Sequence, residues 1–489
     1  MSNVTVADIP PSSGQASRDL PLRADQESRF ARMALSFTSW AERWYPDSFV
    51  FAALTLIVVA AAALTLGSKP MDVANAFGNG FWTIITFTMQ MTFVTITGFV
   101  VATAPVVDRF IEAIAKAPKT ARGAVAFVAL VSMAASYFNW ALSMILGGLL
   151  VQALARRDDL RMDYRAAGAA AYLGLGATWA LGLNSSAAQL QANPGSLPKV
   201  IADITGIIPY SQTIFLWQSM LMAAIVTVVS ITIAYYSAPG DKTARTAADL
   251  GVDLTPPAAA ASARKKDRPG EWFERTPYIS IIIAVMGFGF IGYEFVTKDP
   301  LLAISNLNTY NLMFLLIGLV LHWRLGNFLA AVTKAVPACA GVLIQFPLYG
   351  SIAYLLTTVK GSDGFTISHH LANIFVTISN QETFAVLIGV YSAVLGFLVP
   401  SGGGKWIIEA PYVMQAAKDL HTHLGWAVQI YNAAEALPNL INPFWMLPLV
   451  GLLGVKARDI VGFTFTQFVF HVPMVLFLLW IFGLTLLPG

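Results

Sequence analysis

The sequence predicts an all-α polytopic membrane protein built as an inverted repeat, with two re-entrant helical hairpins and two broken transmembrane helices. Three observations lead there. Hydrophobic residues make up 56% of the chain, charged residues only 12%, and mean hydropathy is +0.64, a composition suited to lipid. Residues 123 to 154 form an uncharged run of thirty-two. As one helix it would reach ~48 Å against a hydrocarbon slab of ~30 Å, whereas two crossings need about 40 residues. Two half-helices that enter and return fit that length, and Arg122, Arg156 and Arg157 mark the same side at both ends. Residues 383 to 415 repeat the pattern over thirty-three positions, interrupted by Lys405 and Glu409 and broken by Pro400, Ser401, Gly402, Gly403 and Gly404.

Residues 1 to 28 are polar, carry Pro10, Pro11, Ser12, Ser13 and Gly14, and read as a disordered cytoplasmic tail. No cleavable signal peptide is expected, because the first long apolar run starts near Phe49. Residues 29 to 45 place Phe30, Met33, Phe37, Trp40 and Trp44 at helical spacing, which predicts an interfacial amphipathic helix or an ordinary lead-in to the first span. The first repeat, 46 to 238, holds spans at 47 to 67 and 80 to 104, the first hairpin, a helix from 166 that loses apolar character at Asn184, and a span at 212 to 236. Residues 239 to 275, with Pro239, Pro256, Pro257 and many charges, form a solvated cytoplasmic linker. A linking transmembrane helix follows within 276 to 298. The second repeat, 299 to 489, gives spans at 309 to 323 and 335 to 358, the second hairpin, a broken helix from 425 to 454 and a span at 460 to 487.

Positive charge assigns the sides. With the N-terminus cytoplasmic, all but six of the 30 Lys and Arg residues fall inside; Lys69, Lys199, Lys298, Lys360 and Lys418 lie outside and Lys405 lies within the second hairpin. The C-terminus is then periplasmic. The linking helix inverts the second copy, so the hairpins open from opposite faces and their tips meet near the midplane. A net charge of +3 with no basic cluster among aromatics argues against nucleic acid. The single Cys339, among small apolar residues, reads as packing, and the histidines lack metal-site spacing, so neither a metal nor a cofactor is expected.

Unwound backbone inside hydrocarbon survives only where protein, water, ion or substrate satisfies its polar groups. Binding chemistry is therefore expected at the breaks: Asn139 and Trp140, then Asn184, Ser185, Ser186 and Gln189, in the first copy, and Ser401 to Trp406, then Asn432, Glu435, Asn439 and Asn442, in the second. Gln90 and Gln345 occupy corresponding spans. Successive glycines at 402 to 404 expose N–H groups at a helix start, a cradle for a carboxylate, although close helix packing or a hinge would use the same residues. Lys405 adds a positive charge or is neutralised by Glu409 one turn on. Glu435 is either a cation-coupling acid or a buried hydrogen-bonded one.

Gly80-Phe-Trp82, Met89-Gln-Met91, Asn139-Trp140, Asn311-Leu-Met-Phe314, Gln345-Phe-Pro347, Val399-Pro-Ser-Gly-Gly-Gly404 and Pro443-Phe-Trp445 resemble the bacterial short-chain fatty acid transporter family, the acetoacetate and butyrate permeases, from about residue 40 onward. That resemblance implies uptake of small monocarboxylates across the bacterial inner membrane and a homodimer of scaffold and transport domains. Lys405 departs from it, standing where histidine is expected.

Importing one anion against an inside-negative potential costs about 2.3 kcal/mol per 100 mV, and a co-transported cation removes that cost. Symport with H⁺ or Na⁺ is the expectation. Ser401, Gly402, Gly403, Gly404 and Lys405 with Asn139 and Gln345 would hold the carboxylate and Trp140 or Trp406 the short tail. Asn184, Ser185, Ser186, Glu435, Asn439 and Asn442 would serve the cation. An ion exchanger or channel, or a dicarboxylate carrier of a related family, are the rival readings; no hydrolase or protease motif supports an intramembrane enzyme.

Overall fold

The computed structural model describes residue 43 and residues 48–240, 244–254 and 270–486. The tail at 1 to 28, nearly all of the amphipathic segment at 29 to 45, and about half of the linker lie outside the described residues. Those that are described fold almost wholly into helices, with no strand among them. Six of the helical segments are long and apolar enough to cross a membrane.

The element series occurs twice. Ser48–Thr65, Pro70–Phe81, Ile85–Ala102 and Pro105–Ile114 lead into hairpin one, Ala121–Ser136 and Trp140–Ala155. Leu307–His322, Leu325–Ala335, Ala340–Thr358 and Ile367–Ile378 lead into hairpin two, Phe384–Leu398 and Gly402–Asp419. Each hairpin is followed by a broken helix. The first runs Tyr164–Leu173, loosens through a π-type turn at Gly174–Thr178 and a 3-10 turn at Trp179–Leu181, and resumes at Ser186–Gln191. The second runs Leu424–Asn439 and resumes at Pro443–Leu453. Trp217–Ser237 and Ala457–Leu484 close the copies, and Tyr278–Thr297 stands between them.

Packing crosses between the copies. The first span of each copy lies against the second span of the other, Ser48–Thr65 on Ala340–Thr358 and Leu307–His322 on Ile85–Ala102. Each hairpin likewise packs its second arm on the far half of the other copy's broken helix, Trp140–Ala155 on Pro443–Leu453 and Gly402–Asp419 on Ser186–Gln191. That exchange brings the tips together.

Two features differ from the sequence expectation. The second span starts at Ile85 rather than 80, because Pro70–Phe81 is a separate helix entered through Pro70. The described part of the linker is not free in solvent. Ala244 and Ala247 are buried, the Tyr164 N–H donates to the Arg245 carbonyl at 2.8 Å, and Asp163 accepts from the Arg245 N–H at 3.0 Å. The same Asp163 caps the first broken helix and pairs with Arg165 at 2.8 Å, which ties the linker to that helix's start.

Candidate functional site

Both tips are built on polar caps. At tip one the Asn139 side chain accepts from the N–H groups of Ala141 at 2.9 Å and Leu142 at 3.0 Å, satisfying donors that a helix start leaves unpaired. Its amide donates to the Val94 carbonyl at 3.1 Å and to the Tyr310 hydroxyl at 3.4 Å. Asn184 joins this tip to the broken helix: it accepts from the Trp140 N–H at 2.9 Å and donates to the carbonyls of Ser136 and Trp179. Ser185 caps Ser186–Gln191 by accepting from the Ala188 N–H at 3.3 Å. Asn139, Asn184 and Ser185 thus hold the frame, Asn184 and Ser185 bonded to backbone and Asn139 to backbone and the Tyr310 hydroxyl.

At tip two Ser401 is the matching cap, accepting from the Gly404 N–H at 3.2 Å. The glycines are tightly enclosed. A Cβ on Gly402 would collide with the Trp179 ring, one on Gly404 with the Tyr349 ring, and one on Gly403 would lie 2.9 Å from Phe87 and 3.3 Å from Ser186. The run therefore serves close packing, and it also leaves the N–H groups of Gly402 and Gly403 at a helix start without intrahelical acceptors.

The tips and breaks share one cavity of about 50 Å³. Trp140 comes from tip one; Ser401, Gly402 and Gly403 from tip two; Leu175, Trp179 and Ser186 from the first broken helix; Asn439 and Trp445 from the second. Met91, Thr95, Val342 and Phe346 of the second spans complete it. Trp140 and Trp445 meet edge to face with ring centroids 5.9 Å apart. Ser186 donates to the Met91 sulfur at 3.7 Å. The Trp179 indole N–H and the Asn439 side-chain oxygen, both in this lining, are buried without a hydrogen-bond partner among the described residues. The Asn439 backbone carbonyl accepts from the Tyr172 hydroxyl at 2.7 Å, linking the two breaks.

A larger cavity of about 300 Å³ lies on the other side of Phe87, lined by Thr83, Ser196, Lys199, Tyr354, Ile407 and Pro411 among others. Phe87 stacks on Phe346 at 5.8 Å, and this aromatic pair separates the two spaces.

Lys405 and Trp406 do not line the small cavity. Trp406 is fully buried against Tyr431, with ring centroids 4.6 Å apart. Lys405, also fully buried, directs its ammonium between two carboxylates, 2.9 Å from Glu409 Oε1 and 2.8 Å from Glu435 Oε2. The second approach is an ion pair by distance but lies outside hydrogen-bond angles, since Glu435 Oε2 has no hydrogen bond. The ammonium also donates to Ser392 Oγ at 2.7 Å and to the Ser392 carbonyl at 2.9 Å, and it stands 4.3 Å from the Tyr431 ring centroid. Gln345 accepts from the Tyr349 hydroxyl at 3.3 Å, and Asn442 is buried at the second break; neither lines the small cavity.

A family model described as "Short chain fatty acid transporter" matches residues 29–482. The chain belongs to that family. Its relatives include proteins of Haemophilus influenzae and Escherichia coli, each named "Putative short-chain fatty acid transporter". The first is 30% identical over 91% of this chain and 98% of its own length, the second 31% identical over 90% and 97%. Two solved transporters share the fold. The Alcanivorax borkumensis YdaH transporter, described as having an unusual topology, aligns with a TM-score of 0.52 at 13% identity over 89% of this chain and 98% of its own. Neisseria gonorrhoeae MtrF, placed in a class of antimetabolite efflux pumps, gives 0.55 at 12% over 94% and 100%. This short-chain fatty acid transporter family member is thus a multi-pass membrane protein with a transporter fold.

Sequence reasoning missed Trp179, Thr95 and Ser392. Trp179 had a usable signal, since it stands five positions before Asn184 where the helix loses its apolar run. Thr95 and Ser392 sit inside regular helices and carry no local mark.

Proposed function

We propose that this family member is a secondary active transporter that imports short-chain monocarboxylates such as butyrate and acetoacetate across the bacterial inner membrane by cation symport. Its N-terminus is cytoplasmic and its C-terminus periplasmic, access alternates between the faces, and the protein works as a homodimer. The observation that carries this reading is the shared cavity, where the tips and breaks of both copies meet.

The lining suits one carboxylate with a short apolar tail. The N–H groups of Gly402 and Gly403, the positive end of the Gly402–Asp419 helix and the unpartnered Trp179 indole N–H all favour an anion. Trp140, Trp445, Leu175 and Val342 offer apolar surface to the tail. The Ser186 hydroxyl oxygen and the Asn439 side-chain oxygen supply acceptors for a cation beside the carboxylate. No Lys or Arg lines the small cavity to hold a second carboxylate, which favours mono- over dicarboxylates. The larger cavity beyond Phe87 is the approach from the periplasm, Lys199 lying among its residues.

Uptake by the purified protein in proteoliposomes, with pH and Na⁺ gradients imposed separately and acids from acetate to hexanoate plus dicarboxylates supplied, tests the reading. Butyrate accumulation driven by one of the two gradients is expected. Accumulation indifferent to both would end the symport reading, ion flux without any carboxylate would favour an exchanger or channel, and preference for dicarboxylates would shift the substrate class.

A further inference from the structure

We infer that the buried Lys405–Glu409–Glu435 triad is a one-proton site, and that the ion coupled to carboxylate transport is H⁺. This deepens the symport reading and rests on it. The triad has one fixed cation and two acids, all three side chains essentially without solvent exposure. With both acids ionised the group carries one excess negative charge in a site shielded from water, and burying an uncompensated charge is strongly unfavourable. One proton removes the imbalance.

The geometry leaves room for it. Glu409 Oε2 and Glu435 Oε1 are buried without a hydrogen-bond partner among the described residues, and Glu435 Oε2 holds its approach to Lys405 at poor angles. Lys405 has three donors, and Ser392 takes two through its hydroxyl and carbonyl, leaving one for two carboxylates. The other titratable groups facing the triad are tyrosines from each packed element: Tyr349 from Ala340–Thr358, Tyr391 from the first arm of hairpin two, Tyr412 from its second arm and Tyr431 from the second broken helix. Tyr391 and Tyr412 are hydrogen-bonded to each other at 2.9 Å. All four are neutral as phenols, so the net charge stays with the three residues.

The site is coupled to the cavity by position. Lys405 directly follows the Gly402–Gly404 cradle, and Glu435 stands one helical turn before Asn439. The Tyr431 hydroxyl donates to the Gly402 carbonyl while its ring faces the Lys405 ammonium. An anion in the cavity lies beside the triad's excess negative charge, so the protonated triad binds carboxylate better, and bound carboxylate holds the proton more tightly; linkage makes the effect reciprocal. One anion and one proton then cross together without net charge, which removes the membrane-potential cost. Here Lys405 is a positioning residue: it fixes the charge count and takes no proton itself.

Two measurements test this on the full-length protein. Butyrate binding followed calorimetrically in buffers of different ionisation enthalpy counts the protons taken up. Wild type should take up one per butyrate in the pH range where the site titrates. Glu409→Gln and Glu435→Gln should each bind butyrate at least as well as wild type at the upper end of that range, but with no proton uptake, because either change leaves a neutral Lys–Glu pair like that of the protonated triad. Glu382→Gln, at an exposed acid, should keep the wild-type count. Uptake of no proton by wild type, or of one by both glutamine variants, overturns the proposal. Infrared titration of the substrate-free protein decides the site independently of substrate. A protonated-carboxyl C=O stretch that appears as pH falls in wild type and is missing in both variants is expected; its persistence in both overturns the site. Should no short monocarboxylate bind at all, the transport reading fails while the infrared result still decides the proton site.

Discussion

At the scale of single residues, the cavity turns on groups whose hydrogen bonds are unmade. Trp179 is the clearest. Replacing it with phenylalanine keeps a ring against Gly402 but deletes the unpartnered indole N–H, and a hydrogen bond to a charged acceptor contributes about 1.5 to 3 kcal/mol. Trp179→Phe should therefore raise the KM for butyrate by about tenfold or more with little change in thermal stability, read from uptake kinetics and the detergent-phase Tm. Asn184 is its opposite, a buried amide whose bonds all go to backbone at the first tip and break. Asn184→Ala should lower the Tm through roughly 2 to 4 kcal/mol of lost stability, several unsatisfied groups being left buried. Lys405→Ala strands two carboxylates and should cost about 3 to 5 kcal/mol, with Glu409→Gln added in the same chain recovering part of it.

The sequence marked the two helix breaks where the cavity lies, but not which side chains face into it. Trp140, Ser186, Ser401, Gly402, Gly403 and Asn439 line the cavity, whereas Asn139, Asn184 and Ser185 are caps and Lys405 is sequestered. The reason is physical. A polar residue at a helix break is needed first to satisfy orphaned backbone groups, and only three-dimensional packing shows whether any polar atom is left for a ligand.

At the scale of elements, hydropathy and length found both hairpins and both broken helices, since a length that matches neither one crossing nor two is unusual. It did not find the short helices Pro70–Phe81, Pro105–Ile114, Leu325–Ala335 and Ile367–Ile378. Their apolar residues lie on one stripe, so a span search averages them into the connecting loops. They nonetheless carry packing. Gly80 on Pro70–Phe81 meets Gly350 and Ser351 so closely that a Cβ would stand 2.7 Å from the Ser351 Cα. Small residues set such close helix approaches in membranes. Gly80→Ala should reduce the Tm and the yield of monodisperse protein, while Gly78→Ala two positions away, with open space around it, should change neither.

At the scale of the whole molecule, the two copies exchange packing partners, so the cavity exists only where both contribute. The charge-based orientation gives a direct prediction. Single cysteines at Lys69, Lys199, Lys360 and Lys418, made in a Cys339→Ala background, should react with an impermeant thiol reagent from the periplasm. Cysteines at Arg109, Arg157 and Lys456 should react only after the membrane is opened. Cys339 is fully buried, so its removal should leave little background labelling.

The most direct measurement of the shared cavity uses Thr95, a lining residue whose hydroxyl donates to the Met91 carbonyl of its own helix at 3.0 Å. In a Thr95→Cys, Cys339→Ala protein, butyrate should slow labelling by a membrane-permeant thiol reagent over the concentrations that saturate uptake, and succinate should not. Labelling that stays unchanged while butyrate saturates transport would place the substrate elsewhere and contradict the account.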